Sequence, residues 1–381
     1  MQYIKKISPS FVEEVQNELQ GTLPTANNSS IGSNLVGWNG FKKILDEGVA
    51  GGKLFTNDIV TTYSLAYTTA DSLYDGGVLA PNGDIHFVPA FSNIGQKISA
   101  FGVLSTYSVT ALGAGQDYSG GVLSPRGEIH FIPYASAAPG QKISASGVVS
   151  TYALAYTASN AYRGGVLSPS GEIHFIPYSA VVGQKVAANN FVSTYTLAYT
   201  TGQGYTGGVL APNGDIHFVP QLSTIGQKIA ANNHVSTYAL AFTTSFSSYS
   251  GGVIDSNGDI HFIPNTTSRP GQKINTANNY VSTYSLVNTS GSYFGGVLAP
   301  NGDIHFIPNG STVGQKISAS GVVSTYTLAY TINGAYYGGV LAPNGDIHFI
   351  PGQARVGQVI RNNSGFTFPK GVLLHSYLNK L

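Results

Sequence analysis

One stretch of fourteen residues returns until almost the end of the chain and constrains the fold more than any other feature. Its first copy, residues 76–89, has the sequence Gly-Gly-Val-Leu-Ala-Pro-Asn-Gly-Asp-Ile-His-Phe-Val-Pro. The histidine of this motif recurs at intervals of 44, 44, 43, 44, 44 and 43 residues. The chain therefore contains seven units of one supersecondary structure, and a fixed period of this length is typical of solenoids, propellers and arrays.

Each unit divides into four short segments with strand character. The first of them, initially seen at residues 59–67, alternates β-branched and aromatic residues. The Gly-Gly-Val-Leu-Ala segment is joined by Pro-Asn-Gly to Asp-Ile-His-Phe-Ile-Pro, and Asn-Gly between apolar runs is the strongest short hairpin signal. A Gly-Gln-Lys-Ile segment follows after a short variable loop. Four short strands joined by tight turns predict one propeller blade per unit.

The order of the segments predicts a closed ring. The repeated section begins with an outer-strand segment at residue 59 and ends with Gly-Gln-Val-Ile at 357–360, so the last blade is complete only if the first strand joins it. An open stack would need polar caps, which the first and last copies lack. The paired glycines suit the innermost strand, where side chains have least room. We predict an all-β fold, a seven-bladed β-propeller of four-stranded repeats of about 44 residues.

The sequence outside the repeats predicts two terminal segments. We assign residues 1–51 to a short, partly helical N-terminal arm, residues 52–361 to the propeller and residues 362–381 to a C-terminal tail. Residues 8–19 form a serine-capped amphipathic stretch, which needs a surface to pack on. The arm is therefore expected to serve assembly or anchoring.

The composition argues against several classes of partner. Charged residues make up 9% of the chain and the net charge is +1, so no long-range field attracts nucleic acid or acidic membranes. The chain has no cysteine, which excludes thiol catalysis and thiolate metal sites. The start of the chain lacks the apolar segment of a secretory signal, and no stretch approaches a membrane span. We expect synthesis in the cytoplasm, with no export signal and no membrane insertion.

The motif Gly-Gly-Val-Leu-Ala-Pro-Asn-Gly-x-Ile resembles the propeller-forming repeats of the kelch and WD40 families over residues 52–361. The Trp-Asp ending of WD40 repeats and the full kelch pattern are absent, so the partner-binding residues of those families are not carried over. The leading arm, the cysteine-free Gly/Ser/Thr/Asn/Tyr composition and the near-identical copies also resemble virion proteins of tailed phages. That resemblance implies a fibre, tail or head-decoration component in the virion, with other virion proteins as partners through the arm.

Seven histidines, each two residues after an Asp or Glu, are the first candidates for chemistry. Residues i and i+2 share one face of a strand, so both side chains should point into the seam between blades. There we expect a structural network with the Ser and Thr hydroxyls that precede each outer-strand tyrosine. Copies around a ring lie too far apart to form one metal site, and no metal or cofactor is predicted. The histidines are His86, His130, His174, His217, His261, His305 and His348.

A second set consists of the tyrosines two residues before each pair of glycines. The connection that holds them should lie near the channel mouth, where tyrosines stack on sugar rings and hydrogen-bond their hydroxyls. The alternative is that each tyrosine packs over the glycines of its neighbour. The candidate ligand-binding tyrosines are Tyr74, Tyr118, Tyr162, Tyr205, Tyr249, Tyr293 and Tyr336.

Charged residues that occur in single copies form a third set, and recognition is commonly carried by loops on a rigid scaffold. These residues, in otherwise small-residue loops expected on the same face, are Asp71, Asp117, Arg163, Arg269 and Arg355.

Together these features predict a non-enzymatic virion structural protein whose propeller binds a host-surface glycan. Weak equivalent sites would add up to useful avidity in an oligomeric assembly. The sialidase-type Asp-box is absent, and with it the best-known enzymatic precedent for a propeller. Two alternatives stay open: a cellular lectin-like or protein-interaction propeller, and a glycan-active enzyme that uses copy-specific Asp and Arg residues.

Overall fold

A computed structural model describes residues 58–68, 73–110, 115–135, 138–243, 248–266 and 268–361, and all of its regular elements are β-strands. The chain divides into two units, Met1–Asn57 and Asp58–Leu381. The predicted N-terminal arm and C-terminal tail lie outside the described residues. No helix in the described ranges has the length and apolar character needed to cross a membrane.

Twenty-eight strands form seven four-stranded sheets. The closing strand is β1 (Ile59–Ser64). Blade 1 consists of β2 (Tyr74–Leu79), β3 (Ile85–Pro89), β4 (Ile94–Ile98) and β5 (Leu104–Ser108). Blade 2 consists of β6 (Tyr118–Leu123), β7 (Ile129–Pro133), β8 (Gly140–Ile143) and β9 (Val149–Tyr152). Blade 3 consists of β10 (Tyr162–Leu167), β11 (Ile173–Pro177), β12 (Gly183–Val186) and β13 (Val192–Tyr195).

The remaining four blades repeat this plan. Blade 4 consists of β14 (Tyr205–Leu210), β15 (Ile216–Pro220), β16 (Ile225–Ile229) and β17 (Val235–Ala239). Blade 5 consists of β18 (Tyr249–Ile254), β19 (Ile260–Pro264), β20 (Gly271–Asn275) and β21 (Tyr280–Tyr284). Blade 6 consists of β22 (Tyr293–Leu298), β23 (Ile304–Pro308), β24 (Val313–Ile317) and β25 (Val323–Thr327). Blade 7 consists of β26 (Tyr336–Leu341), β27 (Ile347–Pro351), β28 (Val356–Arg361) and β1.

The first strand completes the last blade. β1 pairs antiparallel with β28 in an unbroken register from Ile59 opposite Arg361 to Ser64 opposite Val356. The inner strands of successive blades contact each other around the ring, and β26 returns to β2. The prediction of a closed all-β propeller with seven blades of four strands is therefore confirmed.

The core lies between blades, where apolar faces of neighbouring sheets pack together. In blade 1, Phe87 and Ile98 pack against Val340 and Ile350 of blade 7. Each fully buried side chain of this size stabilises the fold by about 2 kcal/mol. A Cβ atom at Gly77 would overlap the Ile350 side chain, so the second glycine of each pair makes room for the preceding blade.

The first glycine of each pair lets the inner strands converge. Every inner strand has a β-bulge at this point, between Tyr74 and Gly77 in blade 1. Gly76 has a φ of 85°, and an added Cβ would lie 3.3 Å from Cα of Gly120. The equivalent residues, here called the glycine ring, are Gly76, Gly120, Gly164, Gly207, Gly251, Gly295 and Gly338. The glycine ring therefore brings the inner strands together around the central channel, and the end of the channel where the inner strands begin is here called its mouth.

Candidate functional site at the mouth of the central channel

The seven histidines lie in the second strand of each blade and are buried. Nδ1 of His86 lies 3.3 Å from the hydroxyl of Tyr107 in the outer strand of the same blade. Equivalent hydrogen bonds join His130 to Tyr152 and His348 to Tyr63. In the other four blades the histidine and tyrosine rings keep the same contact, with centroids 5.3–5.5 Å apart. The partner is thus the tyrosine itself, which corrects the expected bonds to Ser and Thr hydroxyls.

The acidic residue of the Asp/Glu-x-His motif pairs with a lysine in blades 1–6 and with Arg361 in blade 7. Asp84 accepts a 2.7 Å hydrogen bond from Nζ of Lys97 in the neighbouring strand. Burial lowers the pKa of His86 to about 4, and Lys97 lowers it further while Asp84 opposes the shift. A neutral, buried imidazole over a tyrosine is a packing element. Among the described residues, no three His, Asp or Glu side chains are grouped in a way that could hold a metal ion.

The seven candidate tyrosines begin the inner strands, and at most 1% of each is exposed to solvent. The Tyr74 ring packs edge-on against Phe87, with centroids 5.4 Å apart. The hydroxyl of Tyr118 donates to the carbonyl of Pro139 at 3.1 Å, and the equivalent bonds in blades 3–7 are similar. These side chains are buried within the blades and are therefore not available for stacking at the channel mouth. The expected ring of stacking tyrosines is corrected accordingly.

The residue that follows each of these tyrosines forms a ring of a different kind. It stands directly before the glycine ring at the start of the inner strand, and it changes from blade to blade. We call these residues the variable ring. In blade order they are Asp75, Ser119, Arg163, Thr206, Ser250, Phe294 and Tyr337.

Members of the variable ring contact each other. Oδ2 of Asp75 accepts a 2.8 Å hydrogen bond from the Ser119 hydroxyl and another of 2.8 Å from Nε2 of Gln116. The Phe294 and Tyr337 rings meet edge to face at 5.0 Å. Burial raises the pKa of Asp75, although Arg163 and the two hydrogen bonds oppose that shift.

Arg163 extends across the mouth. Its guanidinium carbon lies 4.9 Å from the ring centroid of Phe294, three blades away. It also lies 5.5 Å from the Tyr178 ring, within the range of cation–π attraction. The side chain therefore joins two sides of the channel through aromatic contacts.

Loops between the second and third strands extend the site. The Tyr134 and Tyr178 rings lie 5.8 Å apart, and burial raises the pKa of Tyr134. The carbonyl of Asp117 accepts the Tyr134 N–H at 2.8 Å, so the loops around the mouth are tied together. Burial also raises the pKa of the Asp117 carboxyl to about 6. The site thus combines aromatic faces, hydroxyls, a cation and two carboxyls whose pKa is raised.

Of the copy-specific charged residues, the structure brings Asp117 and Arg163 to this mouth. Arg269 lies in a loop of blade 5, where its Nε donates to the Thr266 hydroxyl, and Arg355 lies in the equivalent loop of blade 7. Asp71 lies outside the described residues. The sequence analysis missed Asp75, Phe294 and Tyr337. The signal that identifies them is the contrast between this one varying position and the constant motif around it.

Comparison with known proteins supports the fold. No family model matches the chain, and no curated protein does. Streptogramin B lyase superposes with a TM-score of 0.70 at 18% identity, covering 80% of this chain and 98% of that chain. A catalytically inactive histidine-to-alanine variant of virginiamycin B lyase from Staphylococcus aureus, with quinupristin, gives 0.69 at 15% identity, covering 80% and 100%. The WD40 propeller domain of Doa1 gives 0.60 at 12% identity, covering 81% and 100%.

These similarities show a shared propeller fold. They also correct the prediction that the protein is not an enzyme, because two of the three similar structures are lyases. The missing Asp-box therefore removes one enzymatic precedent for this fold and leaves another in place. None of the three is a virion component, so the comparisons lend no support to that part of the prediction.

Proposed function

We propose that the protein binds a carbohydrate at the mouth of its central channel, through the variable ring. One observation carries this proposal. Near-identical repeats hold the blade framework constant, while the variable-ring position at the start of each inner strand supplies acid, hydroxyl, cation and aromatic groups from blade to blade. Recognition groups on a rigid scaffold are the usual arrangement of a binding site.

The chemistry of the ring suits a sugar. Phe294 and Tyr337 provide flat apolar surfaces for the C–H faces of a pyranose ring. The half-buried Arg163 provides N–H donors for sugar hydroxyl groups. The buried Asp75, Ser119 and Thr206, which bond to one another or to the backbone, hold the ring in place. Since both kinds of group stand within one ring, a single saccharide unit contacts them together.

Glycan binding tests this proposal directly. We expect the wild-type protein to bind members of a broad glycan panel, and Phe294→Ala or Tyr337→Ala to weaken that binding at least tenfold. Tyr280→Ala is the matched control, because this aromatic side chain is 66% exposed at the start of the outer strand β21, away from the inner strands. Absence of binding across the panel, or a loss caused by Tyr280→Ala alone, would contradict the proposal.

A second candidate is catalysis on a glycan at the same mouth. The observation that favours it is the position of Asp117, which directly precedes β6 at the mouth and whose carbonyl accepts the Tyr134 N–H; burial also raises the pKa of its carboxyl to about 6. A carboxyl tuned toward neutral pH is suited to general acid–base catalysis. This candidate predicts release of products from some glycan in the panel, and loss of turnover without loss of binding in Asp117→Asn. Unchanged glycans after long incubation would exclude it for those substrates.

The setting of this activity is a separate part of the proposal. We place the propeller on a virion, with residues 1–51 attached to other virion proteins and the channel mouth directed at host-surface glycans. An oligomeric assembly would multiply a weak single site. Support comes from the leading arm and the cysteine-free, low-charge composition. Detection of the chain in purified particles tests this placement. A chain recovered with cellular partners and absent from particles would favour the lectin-like or protein-interaction alternative.

A further inference from the structure

Within the described part of the chain, the guanidinium group of Arg163 contacts aromatic rings and forms no hydrogen bond. Its carbon lies over two rings, 4.9 Å from the centroid of Phe294 and 5.5 Å from that of Tyr178. Cation–π contacts do not use the hydrogen-bond donors of the group, so its N–H bonds are available to an acceptor. Clamping in this way also removes rotamer freedom that a free arginine would lose on binding.

No carboxylate in the described ranges forms an ion pair with Arg163. Asp75 is near enough for the positive charge to lower its pKa. Its Oδ2 atom, however, accepts hydrogen bonds from Ser119 and Gln116. Other described basic side chains, such as Lys97 and Arg361, form ion pairs with the acidic residue that directly precedes the neighbouring strand. Arg163 instead stands at the start of an inner strand, and its described contacts are with aromatic rings.

The remaining blades show what Arg163 replaces. At this ring position the neighbouring blades carry Ser119 and Thr206, which are small and neutral. A long cationic side chain at one of the seven ring positions places the hydrogen-bond donors of a guanidinium group on one side of the mouth. An arginine fork matches the two oxygens of a carboxylate geometrically, which a lysine does not.

From these observations we propose that Arg163 makes the mouth selective for a saccharide that carries a carboxylate, such as a uronic acid unit. The inference rests on the proposed carbohydrate function and names its substrate class. The carboxylate accepts hydrogen bonds from the guanidinium edge, while the sugar ring lies against the Phe294 and Tyr337 faces.

Matched sugar pairs separate this inference from the function on which it rests. Oligomers of galacturonic acid and of galactose differ by the carboxylate at C6, and their dissociation constants are measured by calorimetry at low and high salt. We expect the wild type to bind the acidic member at least tenfold more tightly than the neutral one, with the difference shrinking as salt rises. Arg163→Gln should bring the ratio near one, and Arg163→Lys should give an intermediate ratio. Tyr280→Ala, in the outer strand β21, should keep the wild-type ratio.

The possible results distinguish the selectivity for a carboxylate from carbohydrate binding itself. Equal binding of both members by the wild type, or a preference for acidic oligomers that Arg163→Gln preserves, overturns the selectivity inference and leaves carbohydrate binding intact. Binding of neither member, nor of any other glycan, overturns the proposed function and the inference with it. If Arg163→Gln fails to fold, the salt dependence of the wild-type ratio and the Arg163→Lys ratio still decide the question.

Discussion

The hydroxyl group of Tyr107 lies 3.3 Å from Nδ1 of His86, although strand β4 separates the strands that hold them. Tyr107 stands opposite Gly95 of β4, and a Cβ atom added at Gly95 would overlap the tyrosine ring. The same glycine–tyrosine pair occurs in all seven blades. The glycine of each Gly-Gln-Lys/Val segment therefore allows the outer-strand tyrosine to cover the buried histidine.

Replacing Gly95 with alanine should destabilise the propeller. The added methyl group would force Tyr107 away from His86, and overpacking of this kind costs about 1–3 kcal/mol. The free energy of unfolding, measured with urea, should fall by that amount. Gly202→Ala is the control, since nothing lies within 4 Å of its Cβ position.

The double variant Gly95→Ala/Tyr107→Ala tests whether the tyrosine ring is the reason that glycine is needed. In a Tyr107→Ala background the ring is gone, so Gly95→Ala should cost little beyond the tyrosine truncation itself. A Gly95→Ala penalty that is the same in both backgrounds would show that the glycine is needed for another reason.

This tyrosine–histidine contact could not be predicted from the sequence, although the blades and the closed ring could. The repeat period predicts the number of blades, and the Asn-Gly turns predict the hairpins within them. The unmatched first strand at Ile59 predicts closure of the ring. All three features can be recognised locally or by counting along the sequence. Which side chains meet across an intervening strand depends on the register in which the strands pair. The structure places Ser105 opposite Lys97 and Tyr107 opposite Gly95, so tyrosine rather than serine reaches the histidine.

The glutamine of the same segment links each blade to the one before it. Oε1 of Gln184 accepts hydrogen bonds from the N–H groups of Ala155 and Tyr156, at 2.9 and 2.7 Å. Gln184→Leu should remove both hydrogen bonds, at about 0.5–1.5 kcal/mol for each, because Ala155 is exposed and Tyr156 is half-buried. Gln96→Leu should cost about half as much, since the Oε1 atom of Gln96 has one described partner, the N–H of Tyr67. Urea denaturation of both variants measures this difference, and equal losses would argue against the hydrogen-bond explanation.

Stability should decline as pH falls from about 6.5 to 4. Burial is the largest cause that lowers the pKa of His86, His130, His174, His217, His305 and His348 to about 4, from an ordinary value of 6.5. In this interval the unfolded chain takes up protons that the folded chain does not, so protonation favours unfolding. Each histidine contributes at most about 1.4 kcal/mol per pH unit.

The measurement is the unfolding free energy at pH 7.5, 6 and 5. His217→Gln should be less stable than wild type at pH 7.5 and should depend less on pH. A free energy that stays constant between pH 7.5 and 5 would mean that the histidines are not held neutral by the fold.

The channel mouth was only partly accessible to prediction from sequence. Arg163 and Asp117 were visible as charges found in single copies, whereas Phe294 and Tyr337 looked like ordinary variation beside the paired glycines. Which residue of the inner strand faces the channel is decided by the β-bulge, which shifts the register between Tyr74 and Gly77 and its equivalents. A bulge of this kind has no signature in the motif beyond the glycines themselves.

The glycine ring beneath the mouth offers a prediction that joins stability to binding. Gly251 and Gly207 both have positive φ values, 151° and 120°, so alanine is strained at either position. At Gly251 an added Cβ would also lie 2.7 Å from Cα of Gly295, while at Gly207 nothing lies within 4 Å. Gly251→Ala should therefore destabilise the fold by at least about 1 kcal/mol more than Gly207→Ala. It should also weaken glycan binding more, because blades 5 and 6 must separate beneath Ser250 and Phe294. Thermal unfolding and calorimetry on the pair measure both effects, and equal behaviour of the two variants would show that close backbone approach is not what requires glycine here.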